Sequence, residues 1–276
     1  MLFDSTKIKN LVLENRTVFK PLCTFNSNKE GTVQNYHRMH HLLRAFGNVG
    51  LIIQEATAVS KQGRVTLKDL GIWDDSHIEG LKDLVGRIHK SKCAMGIQIS
   101  HAGRKTLEKN IVAPSAIKYY PLDVVPKEIT KRGIKKVIDD FRQAARRANL
   151  AGYDFLEVDA GRGFLLSQFL SPLTNLRKDE YGDRKKLIKE IIVAVREEWP
   201  EEKPLSARFS AYEYHEDGMT PEWLADLINE LKPLGLDVAN IVSGGNVFQE
   251  EIDEYPGYQL GYAKTIKEKT GITVIS

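Results

Sequence analysis

Ala94-Met95-Gly96-Ile97-Gln98-Ile99-Ser100-His101-Ala102-Gly103-Arg104-Lys105 is the stretch on which the fold of this chain turns. Its apolar run, Ala94 to Ile99, reads as a buried strand. It closes in an amide, an imidazole and two cations. Polar groups gathered at the C-terminal end of a buried strand are how α/β proteins build sites. A strand that merely meets solvent gives similar letters, so the flanking sequence has to decide.

Outward from that stretch, strand-like and helix-like runs alternate. The strands fall at Thr17–Lys20, Leu51–Gln54, Ala94–Ile99, Tyr153–Val158, Leu205–Phe209, Val238–Val242 and Ile272–Ile275. They are short, apolar and β-branched, as strands covered on both faces should be. Between them lie helical stripes: Ile78, Leu81, Val85 and Ile88; Ile134, Val137, Ile138, Phe141, Ala144, Ala145 and Ala148; Leu187, Ile188, Ile191, Ile192 and Val195; Leu224, Leu227, Ile228 and Leu231. Leu42, Ala45 and Phe46 suggest a further helix after the first strand, and Tyr262–Lys267 one after the sixth. Thr220-Pro221 is a helix start, and Gly152 and Gly235 stand where helices should stop. The repeat calls for a parallel sheet with right-handed crossovers. No G-x-G-x-x-G follows the first strand, which weakens an open dinucleotide-binding sheet. The long polar segments, Ser100–Thr130, Asp159–Arg184 and Ser210–Thr220, follow strands rather than helices. That favours a (β/α)₈ barrel, whose strand-to-helix loops carry the site.

The composition agrees. The chain has 276 residues, 42% hydrophobic and 28% charged, with a net charge of +3. That is enough apolar material for one large domain and too little charge to argue for nucleic acid. Two cysteines are too few for a disulfide framework, and the N-terminal segment lacks a signal-like apolar stretch. No window approaches the ~20 apolar residues of a membrane span. The expectation is one domain over residues 1–276, cytoplasmic and reduced, with a small-molecule substrate, no nucleic acid or membrane partner, and room for a homo-oligomer. His37, His40 and His41 share a helix face, but no carboxylate or cysteine completes a ligand set, so no metal is expected.

Several blocks, in order, resemble the old yellow enzyme family of FMN-dependent oxidoreductases, in particular its bacterial branch with a cysteine after the first strand. They are Ile8 to Arg16, Pro21-Leu22-Cys23, Gly50 to Val59, Gln62-Gly63-Arg64, Asp69 to Trp73, Gln98 to Lys105, Ala113 to Ile117, Gln168 to Arg177, and Pro256 to Gln259. The resemblance implies a TIM barrel with FMN at its C-terminal mouth, and NAD(P)H as the reductant. Carried over by position, Pro21, Leu22 and Cys23 would lie along the flavin and Ala56 would present backbone groups. Gln98 would bond the pyrimidine edge, and Arg208 would face the N1–C2 carbonyl region. Residue chemistry suits these places: an amide both donates and accepts, and a guanidinium stabilises negative charge. Hydride would pass from NAD(P)H through flavin to an activated alkene, a quinone or a similar acceptor.

Two departures stand out. Where the family carries a histidine pair and a tyrosine after the fourth strand, this chain has Asp159, Arg162 and Phe164, and Phe25 stands where a second tyrosine is usual. Asp159 and Arg162 would form a local ion pair, or Arg162 would take an anionic substrate. The chain also stops in or just after the seventh strand. The resemblance then implies a barrel without helix 7, strand 8 and helix 8, lacking the phosphate loops, and FMN binding of micromolar strength or poorer. Two rival readings remain: a non-catalytic or incomplete relative (a pseudoenzyme, a fragment or half of a two-chain barrel), and a flavin-free lyase or isomerase using Asp159 and Arg162.

Overall fold

Short extended runs flanking each helix set the architecture. The structure, a computed structural model, describes residues 1–119, 124–248 and 250–276. An antiparallel hairpin, β1 (Thr6–Ile8) and β2 (Leu11–Leu13), comes first. The strands β3 (Val18–Phe19), β4 (Leu51–Ala58) and β5 (Ala94–Ser100) follow. Then comes a small parallel pair, β6 (Val112–Ala113) with β7 (Lys127–Glu128). The chain continues with β8 (Phe155–Ala160), β9 (Leu205–Ser210), β10 (Val238–Val242) and β11 (Thr273–Ile275). Apart from the hairpin and the small pair, these form one seven-stranded sheet in the order β11-β10-β9-β8-β5-β4-β3. Every neighbouring pair in it is parallel.

The sheet curls almost into a closed barrel. Leu51 of β4, Ile275 of β11, Ala94, Phe155, Val238, Ile53 and Leu13 pack in one apolar cluster. Residues from both ends of the sheet can meet only if it wraps around them. A cleft of about 280 Å³ separates Val18 and Leu51 on one side from Thr273–Ile275 on the other. This cluster is the barrel floor. Truncating Phe155, fully buried at its centre, should cost about 3–5 kcal/mol. A Phe155→Ala variant that melts in denaturant within about 1 kcal/mol of the parent would contradict this packing.

The helical stripes lie where their periodicity put them. Helix α1 spans Asn35–Phe46 and α2 spans Ile78–His89. Helix α3 spans Lys131–Leu150, α4 spans Leu165–Leu170 and α5 spans Lys186–Glu198. Helix α6 spans Pro221–Leu231 and α7 spans Leu260–Thr270. Thr220 caps α6 by accepting from the Trp223 amide at 3.3 Å. Gly235 takes φ +107°, a left-handed stop that a β-carbon would strain.

Three corrections to the sequence reading have physical causes. Helix α1 buries His37, His41 and Ala45, while Phe46 is exposed. Apolarity alone therefore picked out two packed positions, Leu42 and Ala45, and left out the buried histidines. The fourth barrel strand begins at Phe155 rather than Tyr153. The Tyr153 hydroxyl instead donates to Gln54 Oε1 at 2.5 Å on the helix side. Finally, β4 runs on past Gln54 to Ala58 through a register shift between Gln54 and Thr57. Of the long segment Ser100–Thr130, residues 120–123 lie outside the described residues.

Candidate active site

The site grows out of strand parity. Residues 155, 157 and 159 share one face of β8, so Phe155 on the barrel floor puts Glu157 and Asp159 above it. In register, Gln98 lies beside Glu157, Glu157 beside Ser206, and Asp159 beside Arg208. Above the apolar floor there is thus a polar layer. Gln98 Nε2 donates to Glu157 Oε1 at 2.8 Å, and Asn240 Nδ2 and Ser206 Oγ donate to Oε2 at 2.9 and 3.2 Å. Glu157 is fully buried, and these donors from β5, β9 and β10 compensate it.

Asp159 and Arg208 lie one step nearer the mouth. Asp159 is 3% exposed and accepts the Gly161 amide at 3.1 Å. Burial pushes its carboxyl up to about 6; Arg208 opposes, as do the Gly161 amide and Arg162, while Glu157 adds. Arg208 is half-buried, and its Nε is shielded from solvent without a partner. A buried, unsatisfied guanidinium nitrogen asks for an acceptor.

The residues of the opening stretch separate. Gln98 faces the barrel interior. His101 is turned outward, lining a small cavity with Lys136 and Asp140, and burial pulls its imidazole down to about 4. Arg104 ties two loops together, donating to Asn246 O at 2.6 Å and Ile117 O at 3.3 Å. Lys105 reaches the mouth, donating to Arg162 O at 2.7 Å.

The loop after β8 departs from the local ion pair. Arg162 has φ +50°, its amide donates to Ser210 Oγ at 2.8 Å, and its side chain points to solvent. No ion pair joins it to Asp159 among the described residues. Gly163 is pressed on the turn after β10, where a β-carbon would come within 2.1 Å of Gly245 O. Phe164 is half-buried at the start of α4.

The segment after β3 passes across the same mouth. Leu22 and Phe25 are exposed, Pro21 is buried and Cys23 is half-buried. Glu55 anchors this segment, accepting from the Thr24 amide at 2.7 Å and the Thr24 hydroxyl at 2.6 Å. Burial, with Asp69, Glu55 and Asp159, pushes the Cys23 thiol up to about 12 against Arg208, so it stays protonated at neutral pH. Ala56 is buried within the register shift of β4. Pro21–Cys23, Ala56, Gln98 and Arg208 thus surround one end of the barrel.

Lys105, one of the two cations that close the opening stretch, belongs to this mouth, as do Lys20 and Glu157, which sequence reasoning did not single out as site residues. Parity carried a signal for Glu157 once Asp159 was placed. Lys20 immediately precedes Pro21 but reads as the polar end of a strand.

An orphaned cationic donor and an amide at the C-terminal mouth of a parallel barrel are what a flavin-dependent barrel oxidoreductase presents to its ring. The profile of the NADH:flavin oxidoreductase / NADH oxidase family matches residues 1–254, and the chain belongs to that family. Relatives called NADPH dehydrogenase include one from Geobacillus thermodenitrificans (strain NG80-2), 45% identical over 278 residues, covering 99% of this chain and 81% of the relative. Another, from Clostridium acetobutylicum, is 42% identical over 282 residues, covering 100% and 83%. Among solved structures, a morphinone reductase superposes with TM-score 0.84 at 25% identity over 99% of this chain and 78% of its own. An old yellow enzyme homologue from Zymomonas mobilis, at 23% identity and TM-score 0.84, shares the fold over 99% of this chain and 81% of its own. The protein is an FMN-dependent NAD(P)H oxidoreductase of old yellow enzyme type.

Proposed function

We propose that residues 1–276 act as one domain in which Gln98 and Arg208 hold the flavin ring and Pro21, Leu22, Cys23 and Ala56 line it. The observation that carries this reading is the buried, unpartnered Nε of Arg208 beside a mouth that also holds Gln98. FMN supplies two-electron transfer between NAD(P)H and an acceptor. The chain's own part is electrostatic and steric. Gln98, with its amide nitrogen committed to Glu157, keeps its oxygen for a ring N–H. Arg208 meets the carbonyl region where negative charge collects. The relatives' names favour NADPH over NADH as the reductant.

The substrate pocket is built from Phe25, Asp159, Arg162 and Phe164. None of these four side chains is a phenol or an imidazole, and Asp159 becomes an uncharged donor only as pH falls toward 6. The exposed Arg162 guanidinium, with no ion pair among the described residues, suits an acceptor bearing a carboxylate or other anion. No helix among the described residues is long and apolar enough to cross a membrane. A cytoplasmic protein without a nucleic-acid partner, free to self-associate, completes the reading. The flavin-free and non-catalytic alternatives gain no support from the family match.

The test is rapid mixing of FMN-loaded protein with NADPH or NADH under nitrogen. Loss of the visible flavin band within seconds, faster with NADPH, is the expected result. A protein that binds no FMN, or a flavin that neither nucleotide bleaches, would overturn the reading.

A further inference from the structure

Lys20 follows β3 directly and lies half-buried on the strand face of Val18, which packs against the barrel floor, so its side chain is directed into the barrel. The charged groups that act on it are Arg208 from β9, Glu157 from β8 and Arg162 from the loop after β8. It forms no hydrogen bond or ion pair among the described residues. The acid nearest to hand is already engaged, since Glu157 receives Gln98, Ser206 and Asn240. Lys20 therefore shares the mouth with Arg208, itself carrying an unpartnered buried nitrogen. Burial and then Arg208 pull the Lys20 ammonium down to about 8, Glu157 pulls the other way, and Arg162 adds to the lowering. Like cations held together in a half-buried site are unfavourable until an anion joins them.

We propose that Lys20 is a second cation of the flavin site, acting with Arg208 on the negative charge that reduction brings to the ring, and so making this flavin a stronger oxidant. The inference rests on the FMN reading above. It assigns a role to a residue that the resemblance leaves unassigned, and it explains why an unpaired ammonium is kept inside a barrel. A lysine that merely balanced Glu157 would behave differently, because its loss would strand a buried carboxylate and leave the flavin unchanged.

The experiment compares FMN-loaded wild type, Lys20→Met and Lys20→Arg. Each is equilibrated with a reference dye to obtain the flavin midpoint potential, and each is titrated with sulfite, which binds flavins more tightly where positive charge is close. Lys20→Met should lower the equilibrium constant for two-electron reduction about tenfold, which is about 30 mV, and weaken sulfite binding by a similar factor. Lys20→Arg should restore both. FMN bound to all three proteins with equal midpoints would overturn the proposal and leave the flavin reading standing. Failure of wild type itself to bind FMN would overturn that reading instead.

Melting of the flavin-free proteins tests the unpaired cation separately. The folded-state pKa lies below the ordinary 10.5, so the ammonium costs stability below about pH 8, and that cost fades as pH rises toward 10.5. Lys20→Met should melt above wild type at pH 7, with the gap closing by pH 10. A variant that melts below wild type at pH 7 would mark Lys20 as a structural counter-ion and overturn the proposal.

Discussion

Changing Asp159→His, Arg162→His and Phe164→Tyr together should speed cyclohexenone reduction about 10²–10⁴-fold over the native loop in FMN-loaded protein, the usual worth of general-acid help. Alkene reduction needs a polarised carbonyl and a proton for the α-carbon. Phe164 has neither donor nor proton. A guanidinium is a poor acid, and that of Arg162 faces solvent. Asp159 lies inside the mouth, but with its carboxyl pushed up only to about 6 it is mainly an acceptor at pH 7.5. That value also sets a pH dependence. Below pH 6 Asp159 carries a proton that it can donate, so native enone reduction should climb as pH falls from 7.5 to 5.5. An Asp159→Asn variant should lose that climb. Quinone reduction needs no such donor to carbon and should change little across both comparisons. Native protein that already matches the triple variant on cyclohexenone at pH 7.5 would show that another group supplies the proton.

Removing the guanidinium of Arg208 should slow flavin reduction by NADPH about 10²–10³-fold, the effect of deleting one preorganised donor at a site of developing charge. The side chain makes no hydrogen bond among the described residues and shares the mouth with Lys20 and Arg162. Arg208→Ala should therefore fold, and its flavin-free form should melt within a few degrees of wild type, because the lost attraction to the buried Asp159 offsets the relieved repulsion from Lys20. This pairing of a large kinetic loss with unimpaired folding separates a cofactor-directed cation from a structural one. Stopped-flow reduction within tenfold of wild type, or a melting point several degrees lower, would contradict it.

The barrel was legible because its strands are short apolar runs with helical stripes of constant spacing between them. Val238–Val242 was placed to the residue, and Gly235 stops its helix for the reason glycine usually does. The hairpin β1–β2 and the pair β6–β7 were not seen, since strands of two or three residues leave no period to count. Helix α1 was legible from Leu42 and Ala45, but its buried His37 and His41 were not, their imidazoles being held neutral by burial, which pulls them down to about 4 and about 3. Hydropathy scores such histidines as surface residues. Family likeness pointed to Gln98 and Arg208, which stand beside Glu157 and Asp159 in successive layers of the barrel. Lys20 and Glu157 were missed because their meaning lies across strands. Glu157 makes sense only beside Gln98, Ser206 and Asn240, which come from elsewhere in the chain.

The contact between Gly163 and the turn carrying Gly245 holds the loop after β8 by its main chain. Ser210 and Lys105 grip the same loop at the amide and carbonyl of residue 162, not at its side chain. The socket is therefore indifferent to what it displays. An imidazole, a guanidinium or a carboxylate can be exchanged at 162 while the turn that presents it stays put, whereas Asp159 itself holds that turn through the Gly161 amide. Descendants of one ancestral barrel could in this way trade acceptors without first repairing their folding, whereas a methyl group added at 163 would close that route.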